Sequence, residues 1–221
     1  MSLQVAIVKT SDSWSFSQLR NVPKRRAETP ESVWPELADS LTPELVRDAC
    51  GDVWAHALEG YLSPLADEKL RNELAGLIRE LLDTPIANRP EWFELGARAC
   101  RLQSRAGVGL VHGIAHSLEG PLAGTPAAPG HAALCSTFVL PVFRLNRSLS
   151  DKVDTTLGEA GIDPERIESR LAELFDQETF QKLLPALEER WKKILRDPCT
   201  RTNCALVRPA HLELLLTGVE K

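Results

Sequence analysis

The stretch "GVGLVHGIAHSLEG", residues 107–120, places two histidines, His112 and His116, four apart in a run with almost no other polar side chain. On a helix, positions i and i+4 lie one turn apart on one face, so both imidazoles point the same way. The run is apolar nearly all round, which predicts a central buried helix over 106–119. A core accepts a histidine only where its N–H and its lone pair have partners. The chain has only five histidines, so two at this spacing ask for a chemical account. The spacing recurs upstream, in "DACGDVWAHALEG" (48–60), between Asp52 and His56. His131 follows the Pro/Gly-rich stretch 120–130, where the next helix begins. Only His211 is left outside this set.

The same 3.6-residue period organises the surrounding chain. "TPELVRDACGDVWAHALEGYL" starts with an N-cap threonine, Thr42, and a proline at the first helical position, Pro43. "SPLADEKLRNELAGLIRELLDTP" repeats the pattern with Ser63 and Pro64, and "RPEWFELGARACRLQSRAG" reads as a third helix. "HAALCSTFVLPVFRLN" is a fifth, apolar helix with Pro141 near its end. "DPERIESRLAELF", capped by Asp163 and Pro164, "FQKLLPALEERWKKILRD" and "RPAHLELLLTGV" come after it. The expectation is an all-α multi-helix bundle of seven to nine helices. Residues 1–38 are the least helical: "LQVAIV" suits one short strand, and Pro23, Pro30 and Pro35 interrupt the rest of the segment. We therefore expect an irregular N-terminal arm over 1–38 and a helical metal-binding domain over 39–221.

Composition narrows the function classes. The 221 residues are 43% apolar and 26% charged, with a net charge of −5. No basic patch stands out beyond the short "PKRRAE" (23–28), so neither nucleic acid nor an anionic membrane is an expected partner. No apolar run reaches the roughly 18 residues of a membrane span. "MSLQVAIVKTSDSW" lacks the charged start of a signal peptide. The five cysteines, Cys50, Cys100, Cys135, Cys199 and Cys204, form no CxxC pair and read as reduced thiols, so a cytoplasmic location is expected. Cys50 and Cys135 read as small buried hydrophobes. Trp14, Phe16, Trp34 and Trp92 read as packing residues, and Trp54 as core or as an interface with the arm. No GxGxxG, Walker loop or GxSxG is present.

Imidazole nitrogens with a carboxylate oxygen suit a divalent first-row metal such as Zn²⁺ or Fe²⁺. Either i,i+4 pair alone is more often incidental, but both pairs with His131, on segments that otherwise read as core, point to a metal site. Glu59, three residues after His56, reads as a solvated side chain or as one that orients the His56 ring.

These segments also resemble a known family. "GDVWAHALEGYLSP" (51–64) is similar to the helix of iron-containing (group III) alcohol dehydrogenases that carries an aspartate and a histidine ligand four apart. "GVGLVHGIAHSLEG" resembles that family's second signature, G-x-G-x-x-H-x-x-x-H-x-x-x-G. "PGHAALCSTFVLPVFRLN" (129–146) and "LRDPCTRTNCALVRPAHLELLLTGV" resemble two further segments, the latter with Cys204 after Asn203 where the family tends to have proline. The resemblance covers roughly 33–221, the helical C-terminal domain of this dehydroquinate synthase-like superfamily. It implies Asp52, His56, His112 and His131 as metal ligands and His116 as a histidine beside the nicotinamide that either supports the ligands or is catalytic.

The residues and the resemblance support two functions. The first is a metal-dependent alcohol/aldehyde oxidoreductase or subunit without its own nucleotide-binding domain, since about 40 residues precede the helical part. NAD(P) would then come from a separate domain or subunit, and the partners would be a small alcohol or aldehyde and a nucleotide-binding subunit, or a second copy in a homodimer. The alternative is a metal-binding helical domain without dehydrogenase activity, serving other Lewis-acid chemistry or a structural or partner-binding role.

Overall fold

The computed structural model describes residues 41–217, except 88, 90 and 123–128. The expected arm over 1–38, with its strand and with Trp14, Phe16 and Trp34, lies outside the described residues, as does most of the 120–130 loop. Among the described residues there are nine α-helices and no strand: α1 (Pro43–Leu62), α2 (Glu68–Asp83), α3 (Glu91–Gln103), α4 (Leu110–Leu122), α5 (His131–Leu149), α6 (Lys152–Glu159), α7 (Pro164–Leu174), α8 (Gln177–Ile194) and α9 (Leu212–Thr217). Single 3₁₀ turns lie at Thr200–Thr202 and Pro209–His211. No helix among the described residues is long and apolar enough to cross a membrane.

The caps show why the helices start where they do. The Thr42 side chain accepts from the N–H of Leu45, and the Asp163 carboxylate from that of Glu165 at 3.0 Å. The second expected cap is corrected. α2 begins at Glu68, with Asp67 Oδ1 accepting from Leu70 N–H at 2.7 Å. Ser63 instead closes α1, and its hydroxyl donates to the Ala106 carbonyl at 2.6 Å. The run expected over 106–119 forms its helix over Leu110–Leu122, because Gly107 turns the chain at φ +80°. Pro141 lies well inside α5 rather than near its end.

α1 is the most enclosed element: every residue from Ala49 to Tyr61 is buried. It packs against α5, α3 and α2, while α4 packs against α5 and α8. The crossing of α1 and α5 is close. A Cβ on Gly51 would stand 2.5 Å from the Ser136 Cα, so only glycine lets the backbones approach. Phe138 on α5 meets Phe180 on α8 edge-on at 5.7 Å. Trp54 is fully buried in the core, and Trp92 is buried with its indole N–H donating to the Pro85 carbonyl at 2.9 Å. A core helix that is buried all round yet contains Asp52, His56 and Glu59 is the feature that needs explaining.

Candidate metal centre

Asp52 and His56 lie one turn apart on α1, with Asp52 Oδ1 3.5 Å from His56 Nε2. α4 delivers His112, whose Nε2 is 3.8 Å from the same oxygen and whose ring centre is 4.4 Å from that of His56. His131 is the first residue of α5, its ring 5.5 Å from that of His112. Three helices thus bring these side chains together, although His56, which adjoins Asp52 and His112, is not one of the donors that all lie close to one another. Asp52, His112, His131 and Cys135 each offer a donor atom, all within 4.8 Å of one another. His116 lies at the more open side of the cluster, its ring stacked on His131 at 5.3 Å and 5.9 Å from His112.

The donor set fits an ion. Two nitrogen or oxygen ligands about 2.1 Å from a tetrahedral ion are about 3.4 Å apart. The 3.5 and 3.8 Å separations around Asp52 Oδ1 are close to that spacing and long for hydrogen bonds. Asp52 Oδ1 is sealed from solvent and faces His56 and His112 only at separations long for hydrogen bonds, a costly state for a carboxylate unless a cation stands against it.

The electrostatics agree. Burial pushes the Asp52 carboxyl up, but His56, His131 and His112 outweigh it and hold the group below the usual carboxylate range. Burial likewise opposes charge on His56, yet Cys100 and Asp52 outweigh it and lift that imidazole to about 9. The carboxylate therefore favours positive charge beside it, at His56. An ion that displaces that proton satisfies the same demand.

Two residues around the cluster correct the sequence reading. Glu59 is neither solvated nor bonded to His56. Its Oε2 is 2.6 Å from His112 Nδ1, and its Oε1 accepts from Val111 N–H at 2.6 Å. Burial pushes this carboxyl up to about 7, against the pull of the Gly109 and Val111 N–H groups. A carboxylate at Nδ1 keeps the proton there and leaves Nε2 to face an ion. Cys135 is buried as expected but is more than filler, its Sγ 3.5 Å from His131 Nε2. The missed signal was its spacing, since His131 and Cys135 repeat the i,i+4 pattern. Two further neighbours carried no such signal: Glu119, with Oε2 3.6 Å from His131 Nδ1, and Cys199, with Sγ 3.5 Å from His116 Nδ1.

Comparison with known proteins gives a consistent picture. No protein-family model matches the chain. It is 35% identical over 95 residues to the 1-propanol dehydrogenase PduQ of Salmonella typhimurium, covering 39% of this chain and 26% of that protein. Its fold matches the iron-containing alcohol dehydrogenase of Thermococcus thioreducens with a TM-score of 0.61 at 21% identity, over 84% of this chain and 53% of that one. An iron-containing alcohol dehydrogenase of Thermotoga maritima gives 0.61 at 18% identity, over 83% and 51%. A 1,3-propanediol oxidoreductase gives 0.62 at 18%, over 83% and 54%. The chain thus spans about half the length of these structures and about a quarter of the curated relative it matches.

Proposed function

Starting from a chain related to the iron-containing alcohol dehydrogenases and folded as their helical part, we propose that it is the metal-holding half of an alcohol/aldehyde oxidoreductase. The observation that carries this reading is the meeting of Asp52, His112, His131 and Cys135, with His56 beside Asp52, around one sealed carboxylate oxygen. In this reading those four side chains hold Fe²⁺ or Zn²⁺, and Cys135 stands beside them as a fifth donor. The ion, when bound, supplies Lewis acidity to an alcohol or aldehyde oxygen.

The chain's own residues do the rest. Glu59 fixes the His112 tautomer. The buried faces of α1, α4 and α5 exclude water from the inner side of the cluster. His116, partly exposed, is the catalytic histidine: its imidazole carries the substrate hydroxyl's proton between the site and solvent. NAD(P) enters this reading only as a cofactor held by a separate domain or subunit, with a small alcohol or aldehyde as substrate. We place the chain in a reducing, cytoplasmic compartment, where its five cysteines stay as thiols.

The test is NAD(P)H oxidation with short aldehydes by the metal-loaded full chain, alone and with candidate nucleotide-binding subunits. We expect turnover that needs both the ion and a nucleotide-binding partner, and that falls about 10²-fold or more in His116→Ala with the ion retained. A metal-loaded chain that gives no turnover with any such subunit overturns the dehydrogenase reading and leaves a metal-binding domain with another role.

A further inference from the structure

A second group of donors stands beside the first and shares none of its residues. His116 on α4 meets Asp197 and Cys199, which lie on the turn between α8 and the 3₁₀ turn Thr200–Thr202. One donor atom from each of the three lies within 4.8 Å of the other two, and all three side chains are partly exposed. The spacing suits a shared ion as well as a thiol–imidazole hydrogen bond. A nitrogen about 2.1 Å and a thiolate sulfur about 2.3 Å from a tetrahedral ion stand about 3.6 Å apart. His116 Nδ1 and Cys199 Sγ are 3.5 Å apart.

The turn that presents Cys199 is held in place. Asp197 Oδ1 accepts from Cys199 N–H at 2.9 Å, and the Thr200 hydroxyl donates to the Ile194 carbonyl at 2.8 Å. The Thr202 hydroxyl contacts the Val108 carbonyl and donates to that of Cys199 at 2.9 Å. On α4 the facing residue is Gly113, where a Cβ would stand 2.2 Å from Thr200 Oγ1. A glycine one turn before His116 is thus what lets this turn close on the helix and bring the thiol to the imidazole.

We propose that His116, Asp197 and Cys199 form an outer binding site for a borderline-soft divalent cation, of the Zn²⁺ class, distinct from the buried centre. Nitrogen, sulfur and one carboxylate oxygen are the ligand types such an ion selects over Mg²⁺ or Ca²⁺, and three protein ligands leave a position for water. The Cys199 thiol loses its proton to solvent as the metal–sulfur bond forms. Filling this site occupies the His116 imidazole. On the reading of His116 given above, excess ion of this class therefore inhibits by removing the proton carrier while the buried centre stays loaded.

Titration of the reduced, metal-free full chain with Co²⁺ tests the site without any activity assay. We expect two ions per chain and a near-ultraviolet thiolate-to-cobalt charge-transfer band growing with the second. Cys199→Ser should abolish that band, and both it and Asp197→Asn should weaken the second ion about tenfold or more while the first is kept. Cys135→Ser should leave the second ion and its band intact, which assigns the thiolate. Unchanged thermal melts of the metal-free variants show that the fold is kept. A single ion per chain that Cys199→Ser leaves in place, or a second one indifferent to both Cys199→Ser and Asp197→Asn, overturns the proposal. Failure of the buried centre reads differently: Asp52→Asn and His112→Gln would then leave stoichiometry unchanged, while Cys199→Ser still removes one ion.

Discussion

Replacing Glu59 by glutamine probes the centre through a residue that is not one of its proposed ligands. The Glu59 carboxylate bridges two groups at once, His112 Nδ1 and the Val111 N–H, each at 2.6 Å. Glutamine has the same shape and can still accept from Val111 through its amide oxygen. Its NH₂ then faces Nδ1 and donates to it, which moves the ring proton to Nε2. That is the nitrogen aimed at Asp52 Oδ1 at 3.8 Å, so the ring must flip its tautomer and lose the new hydrogen bond before it can bind an ion. The loss of an orienting carboxylate of this kind costs about 10–100-fold in metal affinity, or about 1.4–2.7 kcal/mol. The folded core should lose less, because the amide leaves the packing unchanged. Competition of the metal-loaded protein with a chromophoric chelator measures the dissociation constant directly, and a thermal melt of the metal-free protein checks the fold. An E59Q protein that holds its buried ion within about threefold of the original refutes the orienting role.

Other consequences concern the scaffold. Phe138→Ala removes a fully buried ring that packs on Phe180, and should cost about 3–5 kcal/mol in chemical denaturation. Gly51→Ala should cost about 1–3 kcal/mol and Ser136→Ala should not rescue it, because the new methyl meets the Ser136 Cα as well as its side chain. Burial pushes the Cys204 thiol up to about 12 from an ordinary 9.0, so its folded pKa lies above its unfolded one. The stability it contributes is complete below pH 9.0 and is lost as pH rises towards 12, and iodoacetamide at pH 8 should label Cys199 well before Cys204. Arg147→Ala removes pairings with Asp154, Glu165 and Glu168, and should lower stability by about 1 kcal/mol at low salt and by less at high salt.

The helices and the inward set of polar residues were legible in sequence because both obey one period. Asp52 with His56, and His112 with His116, advertise a shared face through i,i+4 spacing, and Thr42–Pro43 and Asp163–Pro164 mark helix starts through backbone chemistry that acts locally. The start of α2 was ambiguous, since "SPLAD" offers both Ser63 and Asp67 as caps, and only the packing of Ser63 on Ala106 decides between them. α6 was missed because "KVDTTLGE" is short and polar, and its two buried residues, Val153 and Leu157, carry little periodic signal. Contacts across helices were the least legible. Which imidazole Glu59 serves depends on how α1 lies against α4, and the meeting of Cys199 with His116, 83 residues apart, is created entirely by the docking of the turn after α8.

Anomalous diffraction from crystals of the zinc-loaded protein, recorded at the zinc edge, tests the central claim most directly. A peak is expected about 2.0–2.2 Å from Asp52 Oδ1 and from the ring nitrogens of His56, His112 and His131. A map with no peak among these side chains, or with zinc bound only elsewhere on the chain, would contradict it.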